Sequence, residues 1–171
     1  MNELSQQLAK AERLHTVTQK VGFALWQLQE LEGAAAQYYV LIAQATRAMG
    51  SKAGNALVED AQSKTFGSTV TKLVKAKHLS ASAEARFQAL LKARNWLVHS
   101  SRSTSRDAIH SDTACSRLAN RLDAIAEEAR LLLKVVGTEA EAHVKRLGVS
   151  AATIDGLTAK TLQAWHSGDA T

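Results

Sequence analysis

The chain has 171 residues, a formal net charge of +5 and a pI near 9.5. It has no proline, where average usage would give about 8 at this length, and its single cysteine, Cys115, excludes an intrachain disulfide framework. No run of 18 or more apolar residues occurs and the first residues are polar, which excludes a membrane-spanning helix and a secretory signal core and leads us to expect a soluble, cytoplasmic protein.

In chain order, residues 3 to 20 read as a polar helix with Leu4, Leu8, Ala11 and Leu14 on one stripe, and Gly22 as the place where it bends or ends. Ala24, Leu28, Leu31, Ala35, Tyr38, Ile42, Ala45 and Met49 then recur at spacings of four and three, which predicts a helix of about seven turns stopped at Gly50. Ser51, Gly54 and Asn55 read as a turn, followed by short helices over about 56–63 and 68–77. Between them Thr65-Phe66-Gly67-Ser68 reads as a loop with Phe66 as an apolar anchor. Ser80 or Ser82 offers an N-cap for a helix over 83–99, whose apolar positions are Phe87, Leu90, Leu91, Leu97 and Val98. Residues 100 to 110 form a hydrophilic loop rich in Ser and Arg. Ser111 or Asp112 caps a second long helix with a seam of Cys115, Leu118, Leu122, Ile125, Ala129, Leu132 and Val136, reaching Leu147 and stopped at Gly148. A last helix over 151–165 is expected to pack through Ile154, Leu157, Leu162 and Trp165. The absence of strand patterns and of proline predicts an all-α, up-and-down helical bundle with two long antiparallel helices, short extra helices and a C-terminal helix, all in one domain spanning 1–171.

Charge is uneven along this layout. Between Lys64 and Arg106 nine basic side chains face one acid, Glu84, a net +8, while the remainder is net −3. Such a block is often a solvated face, but here it encloses Arg94-Asn95-Trp96-Leu97-Val98-His99, which ends the predicted helix and precedes the Ser/Arg loop. A guanidinium neutralises phosphate and an imidazole moves protons near neutral pH. At about 100° per residue, Arg94 and His99 lie about 140° apart around the helix axis, whereas Asn95 and His99, four apart, share a face. Asn95 is therefore placed to orient the imidazole, Arg94 to reach around to a shared phosphate, and the helix C-terminus to favour the imidazolium. Arg102 and Arg106 are candidates to grip flanking phosphates, and Lys92 adds charge to the same stretch. Trp26 and Trp96 read as core or dimer anchors. The scattered His15, His78, His143 and His166 form no metal-ligand pattern with Cys115, so no metal or other cofactor is expected.

Arg94-Asn95-Trp96-Leu97-Val98-His99 resembles the signature of the HEPN superfamily: an Arg, usually followed by a polar residue, with four to six residues in all before a His. Its place at the end of a helix, before a loop and a long final helix, is similar too, as is Thr65-Phe66-Gly67-Ser68 followed by Val70, Leu73 and Val74. The resemblance covers roughly residues 20 to 146, with residues from about 150 to 166 as a helical extension. It implies a homodimer in which two motifs form one composite site, and a metal-independent endoribonuclease of a toxin–antitoxin or phage-defence system, with an antitoxin or defence-complex protein as a further partner. It implies that Arg94 holds the scissile phosphate, that His99 is the acid/base for attack by the RNA 2′-hydroxyl, giving a 2′,3′-cyclic phosphate, and that Asn95 orients His99. In toxins of that family regulated by AMP addition, a Tyr follows the His by two positions; here that position is Ser101. A non-catalytic RNA- or nucleotide-binding or scaffold module uses the same residues without turnover.

Overall fold

The computed structural model describes residues 3–46 and 48–168. Among the described residues, seven α-helices and one 3-10 turn make up an all-α fold: α1 (Glu3–Ala43), α2 (Ser51–Gln62), α3 (Phe66–Lys75), α4 (Ala81–His99), α5 (Ser101–Thr104), the 3-10 turn (Arg106–Ile109), α6 (Asp112–Arg146) and α7 (Ala151–Ser167). No described helix is long and apolar enough to cross a membrane.

The two heptad-like seams build the core. Ala24, Leu28, Leu31, Ala35 and Tyr38 of α1 and Leu118, Leu122, Ile125, Ala129, Leu132 and Val136 of α6 are buried in one cluster with Phe66, Val70 and Leu73 of α3 and Phe87, Leu90 and Leu97 of α4. Leu122, Leu132 and Phe87 lose all exposure, so each contributes about 1.5–3 kcal/mol of apolar burial. Cys115 is buried at the start of the α6 seam. A smaller cluster joins Ala36 and Val40 to Ala61 of α2.

Hydroxyl caps start four of the helices. Thr65, Ser80, Ser111 and Ser150 accept from the backbone N–H groups of Ser68, Ala83, Ala114 and Thr153 at the starts of α3, α4, α6 and α7, each satisfying a donor that the helix leaves free. Gly148, at φ +91°, adopts the left-handed conformation that ends α6, with its N–H donating to the Lys145 carbonyl.

Several boundaries and one direction differ from the sequence reading. Gly22 neither bends nor ends α1, which runs unbroken from Glu3 to Ala43. A lone glycine costs about 1 kcal/mol in a helix interior, and the packing of Val21, Ala24 and Leu28 against the core outweighs it. The helix stops before Ala45 and Met49, and Gly50 is the N-cap of α2 rather than a stop for α1. Ser51, Gly54 and Asn55 are the first turns of α2, and Phe66, Gly67 and Ser68 the first turn of α3, not loops. The Ser/Arg segment after His99 is largely helical, with Ala108 buried beneath it.

The long helices run parallel, not antiparallel. Arg13 pairs with Asp112 at 2.7 Å, Lys20 with Asp123 at 2.7 Å, and Ala140 lies in one groove with Tyr38 and Leu41. Numbering therefore rises together on α1 and α6. The cause is the number of reversals between them: α2 descends beside α1, α3 returns, and α4 descends again, so α6 sets off in the direction of α1. Arg94 of α4 meets Glu32, while the earlier His78 carbonyl meets the Tyr38 hydroxyl, which makes α4 antiparallel to both long helices.

α7 does not pack as expected. None of its residues is buried; Leu157, Leu162 and Trp165 are exposed and Ile154 is half-exposed. Val98, also expected inside, is exposed as well, and Trp26, expected as a core or dimer anchor, is exposed and so is not a core anchor. Val98 points away from the core because its neighbours Leu97, Leu90 and Phe87 occupy the inward face of α4.

Candidate nucleic-acid interface

α4 carries the Arg–Asn–His stretch down to the end of the bundle where α5, the 3-10 turn and the first turns of α6 meet. Two faces of α4 do different work. Arg94 is on the inward side with Phe87, Leu90 and Leu97, and its Nε donates to Glu32 Oε1 of α1 at 3.1 Å, with 29% and 25% of the two side chains exposed. Lys92, Asn95 and His99 lie on the outward side and are exposed. The structure thus keeps Arg94 and His99 of one chain on opposite sides of the helix, as the 100° step requires. Asn95 shares the face of His99 as expected, but among the described residues no hydrogen bond joins the two side chains.

His99 is the last residue of α4. The turn after it is fixed by Ser101 Oγ donating to the Leu97 carbonyl at 2.6 Å and by Trp96 Nε1 donating to Thr104 Oγ1 at 3.0 Å. Trp96, expected as an anchor, is half-buried and packs against the core cluster. Its ring also carries the guanidinium of Arg121, whose Cζ is 3.2 Å from the ring centroid. Trp96 precedes His99 by three positions, so the two are neighbours on the surface of α4, and the stacked Arg121 brings a cation from α6 to that side of the helix.

Arg102 and Arg106 are exposed on the segment that follows His99. On one side of this segment a small cavity of about 170 Å3 is lined by Arg117 and Arg121 of α6 together with Asp107, Thr104 and Ser105. On the other side a wider cleft of about 600 Å3 is lined by Arg102, Arg106 and His110 and by apolar side chains of α1 and α6. Among the described residues, Arg102, Arg106, Arg117 and Arg121 form no ion pair, whereas Arg13, Lys20, Arg86, Arg94 and Arg130 each meet a carboxylate. Four arginines without a carboxylate partner, two on the segment that follows His99 and two beside it on α6, therefore line its two sides.

Sequence reading placed Arg102 and Arg106 in this region and missed Arg117 and Arg121, which lie outside the basic block. The available signal was their spacing: four apart in the first turns of α6, on one helix face, just past the polar segment. Lys92 lies on the outward face two positions before Arg94, on the same side of α4 as His99. No group of three or more His, Cys, Asp or Glu among the described residues is arranged to hold a metal ion.

No family model, curated protein or solved structure matches the chain.

Proposed function

We propose that the protein is a metal-independent endoribonuclease of the HEPN type, acting as a homodimer in a toxin–antitoxin or phage-defence setting. The observation that carries this reading is an exposed His99 at a helix end, followed at once by a segment whose two clefts are lined by four arginines that lack carboxylate partners. In the reaction, His99 takes the proton of the RNA 2′-hydroxyl as its oxygen bonds to the adjacent phosphorus. The bond from phosphorus to the 5′-oxygen breaks, and a protonated imidazole supplies the proton that oxygen needs. The products are a 2′,3′-cyclic phosphate and a 5′-hydroxyl end. A second copy of the chain supplies the second imidazole, so the composite site does not require Arg94 and His99 of one chain to share a face of α4. The guanidinium of Arg94 exchanges the Glu32 carboxylate for the RNA phosphate, two anions that the same group binds.

A second reading is favoured by the Arg94–Glu32 pair itself. If that pair persists in the presence of RNA, the chain is a non-catalytic RNA- or nucleotide-binding module or a scaffold for an antitoxin or defence-complex protein. The test is cleavage of single-stranded RNA by the parent protein and by Arg94→Ala and His99→Ala. Loss of an acid/base group lowers the rate by about 10²–10⁴, so the ribonuclease reading expects His99→Ala to be essentially inactive. Binding without cleavage by every form supports the second reading, and cleavage unchanged in His99→Ala overturns the first.

A further inference from the structure

The cleft beside α5 combines two surfaces that a bare phosphate contact does not need. Its floor is apolar: Leu14, Val17 and Val21 of α1 and Ile109 of the 3-10 turn. Its rim carries Arg102 and Arg106. Leu14 is 50% exposed, so this part of the α1 core face has no covering helix within the chain. The volume, about 600 Å3, falls in the range of small-ligand sites, which is about 300–1,000 Å3.

The occupant has to offer a flat or compact apolar body and at least one negative charge close to it. Three features favour a nucleotide over an acyl anion. The cleft is open to solvent rather than a closed tunnel, so a polar base edge stays hydrated while its face covers the floor. Two separate guanidiniums suit consecutive phosphates better than one terminal carboxylate. Ser101 and Ser105 also line the cleft: the Ser101 hydroxyl, which donates to the Leu97 carbonyl, offers an acceptor to a base edge, and the Ser105 hydroxyl offers a donor and an acceptor.

We infer that this cleft holds the base of a nucleotide next to the scissile phosphate, on Leu14, Val17 and Ile109, while Arg102 and Arg106 hold the phosphates on either side of it. The inference rests on the ribonuclease reading of His99, because the cleft begins two residues beyond it at Ser101. It assigns base preference to the α1 side chains, which the Arg–Asn–His stretch does not contain.

The experiment measures binding to His99→Ala protein, so that cleavage plays no part in the readout. The probes are a single-stranded DNA tetranucleotide, an abasic tetramer of the same backbone, and decanoate. The tetranucleotide is expected to bind at least tenfold more tightly than the abasic tetramer. Leu14→Ser, at a half-exposed position that tolerates a polar side chain, is expected to remove most of that difference. Arg102→Ala with Arg106→Ala is expected to weaken both tetramers, with a shallower salt dependence. Val17→Ser, with a thermal melt to establish folding, gives a second reading of the floor. Equal binding of the two tetramers overturns the base site while leaving the ribonuclease reading standing. Direct binding of decanoate with no binding of either tetramer overturns it in favour of an acyl anion. Base-dependent binding in a parent protein that never cleaves RNA supports the cleft and counts against the ribonuclease reading.

Discussion

In the proposed ribonuclease, Glu32 competes with the RNA phosphate for Arg94, and replacing Glu32 tests that part of the proposal. The pair is one-quarter exposed on each side and joined by one contact of 3.1 Å. Two unit charges about 4 Å apart attract by about 4 kcal/mol at an effective dielectric constant near 20. Desolvation of both groups and ordering of two long side chains offset most of this, leaving about 1 kcal/mol. Glu32→Gln keeps the shape and removes the charge. The variant is expected to unfold about 1 kcal/mol more easily in urea, a fall of about 2–4 °C in Tm for a chain of this length. Its kcat/KM on single-stranded RNA is expected to rise about fivefold, the same free energy released to the phosphate. The gain is expected to vanish in Glu32→Gln combined with Arg94→Ala, because no guanidinium then remains to use it. A Glu32→Gln protein that folds normally but cleaves as poorly as Arg94→Ala refutes the exchange. Glu32 would then be holding Arg94 in its working position.

Two further outcomes test the fold that positions the site. Phe87 is fully buried with its ring centroid 6.2 Å from that of Phe66, so Phe87→Ala is expected to cost about 3–5 kcal/mol in urea unfolding; a cost below about 1 kcal/mol contradicts its central place between α3 and α4. Burial pushes the Tyr38 hydroxyl above its ordinary value, with the negative charge of Glu139 adding to the effect. Because the folded state holds this proton more tightly than the unfolded one, its stabilising contribution is complete below about pH 10 and is lost as pH rises through the folded value. Tyr38→Phe is expected to lose less stability than the parent above pH 10 in thermal melts, and parallel losses in the two proteins contradict the assignment.

What was legible in the sequence follows from which forces are local. The Ala24–Tyr38 and Cys115–Val136 seams repeat at helical spacing, and the structure buries every residue named in them over those stretches. Ser80 and Ser111 announce their helices because a hydroxyl before an apolar run has a specific use. Gly22 and Gly54 misled because a single glycine is a weak local penalty that tertiary packing overrides. The parallel arrangement of α1 and α6 depends on each of α2, α3 and α4 between them reversing direction, which the periodicity that predicts those helices does not specify. For the candidate site, the Arg94-to-His99 angle could be worked out from helix geometry alone. The Glu32 partner of Arg94, the stacking of Arg121 on Trp96 and the apolar cleft on α1 join residues 25 or more positions apart, which periodicity does not register.

The chemistry assigned to His99 has a direct chemical signature in the ends of the cleaved RNA. Single-stranded RNA incubated with the parent protein in EDTA, with its products resolved by mass spectrometry, is predicted to yield fragments ending in 2′,3′-cyclic phosphate and beginning with a 5′-hydroxyl. Fragments with 5′-phosphate and 3′-hydroxyl ends, or cleavage abolished by EDTA, would contradict attack by the 2′-hydroxyl with His99 as the proton carrier.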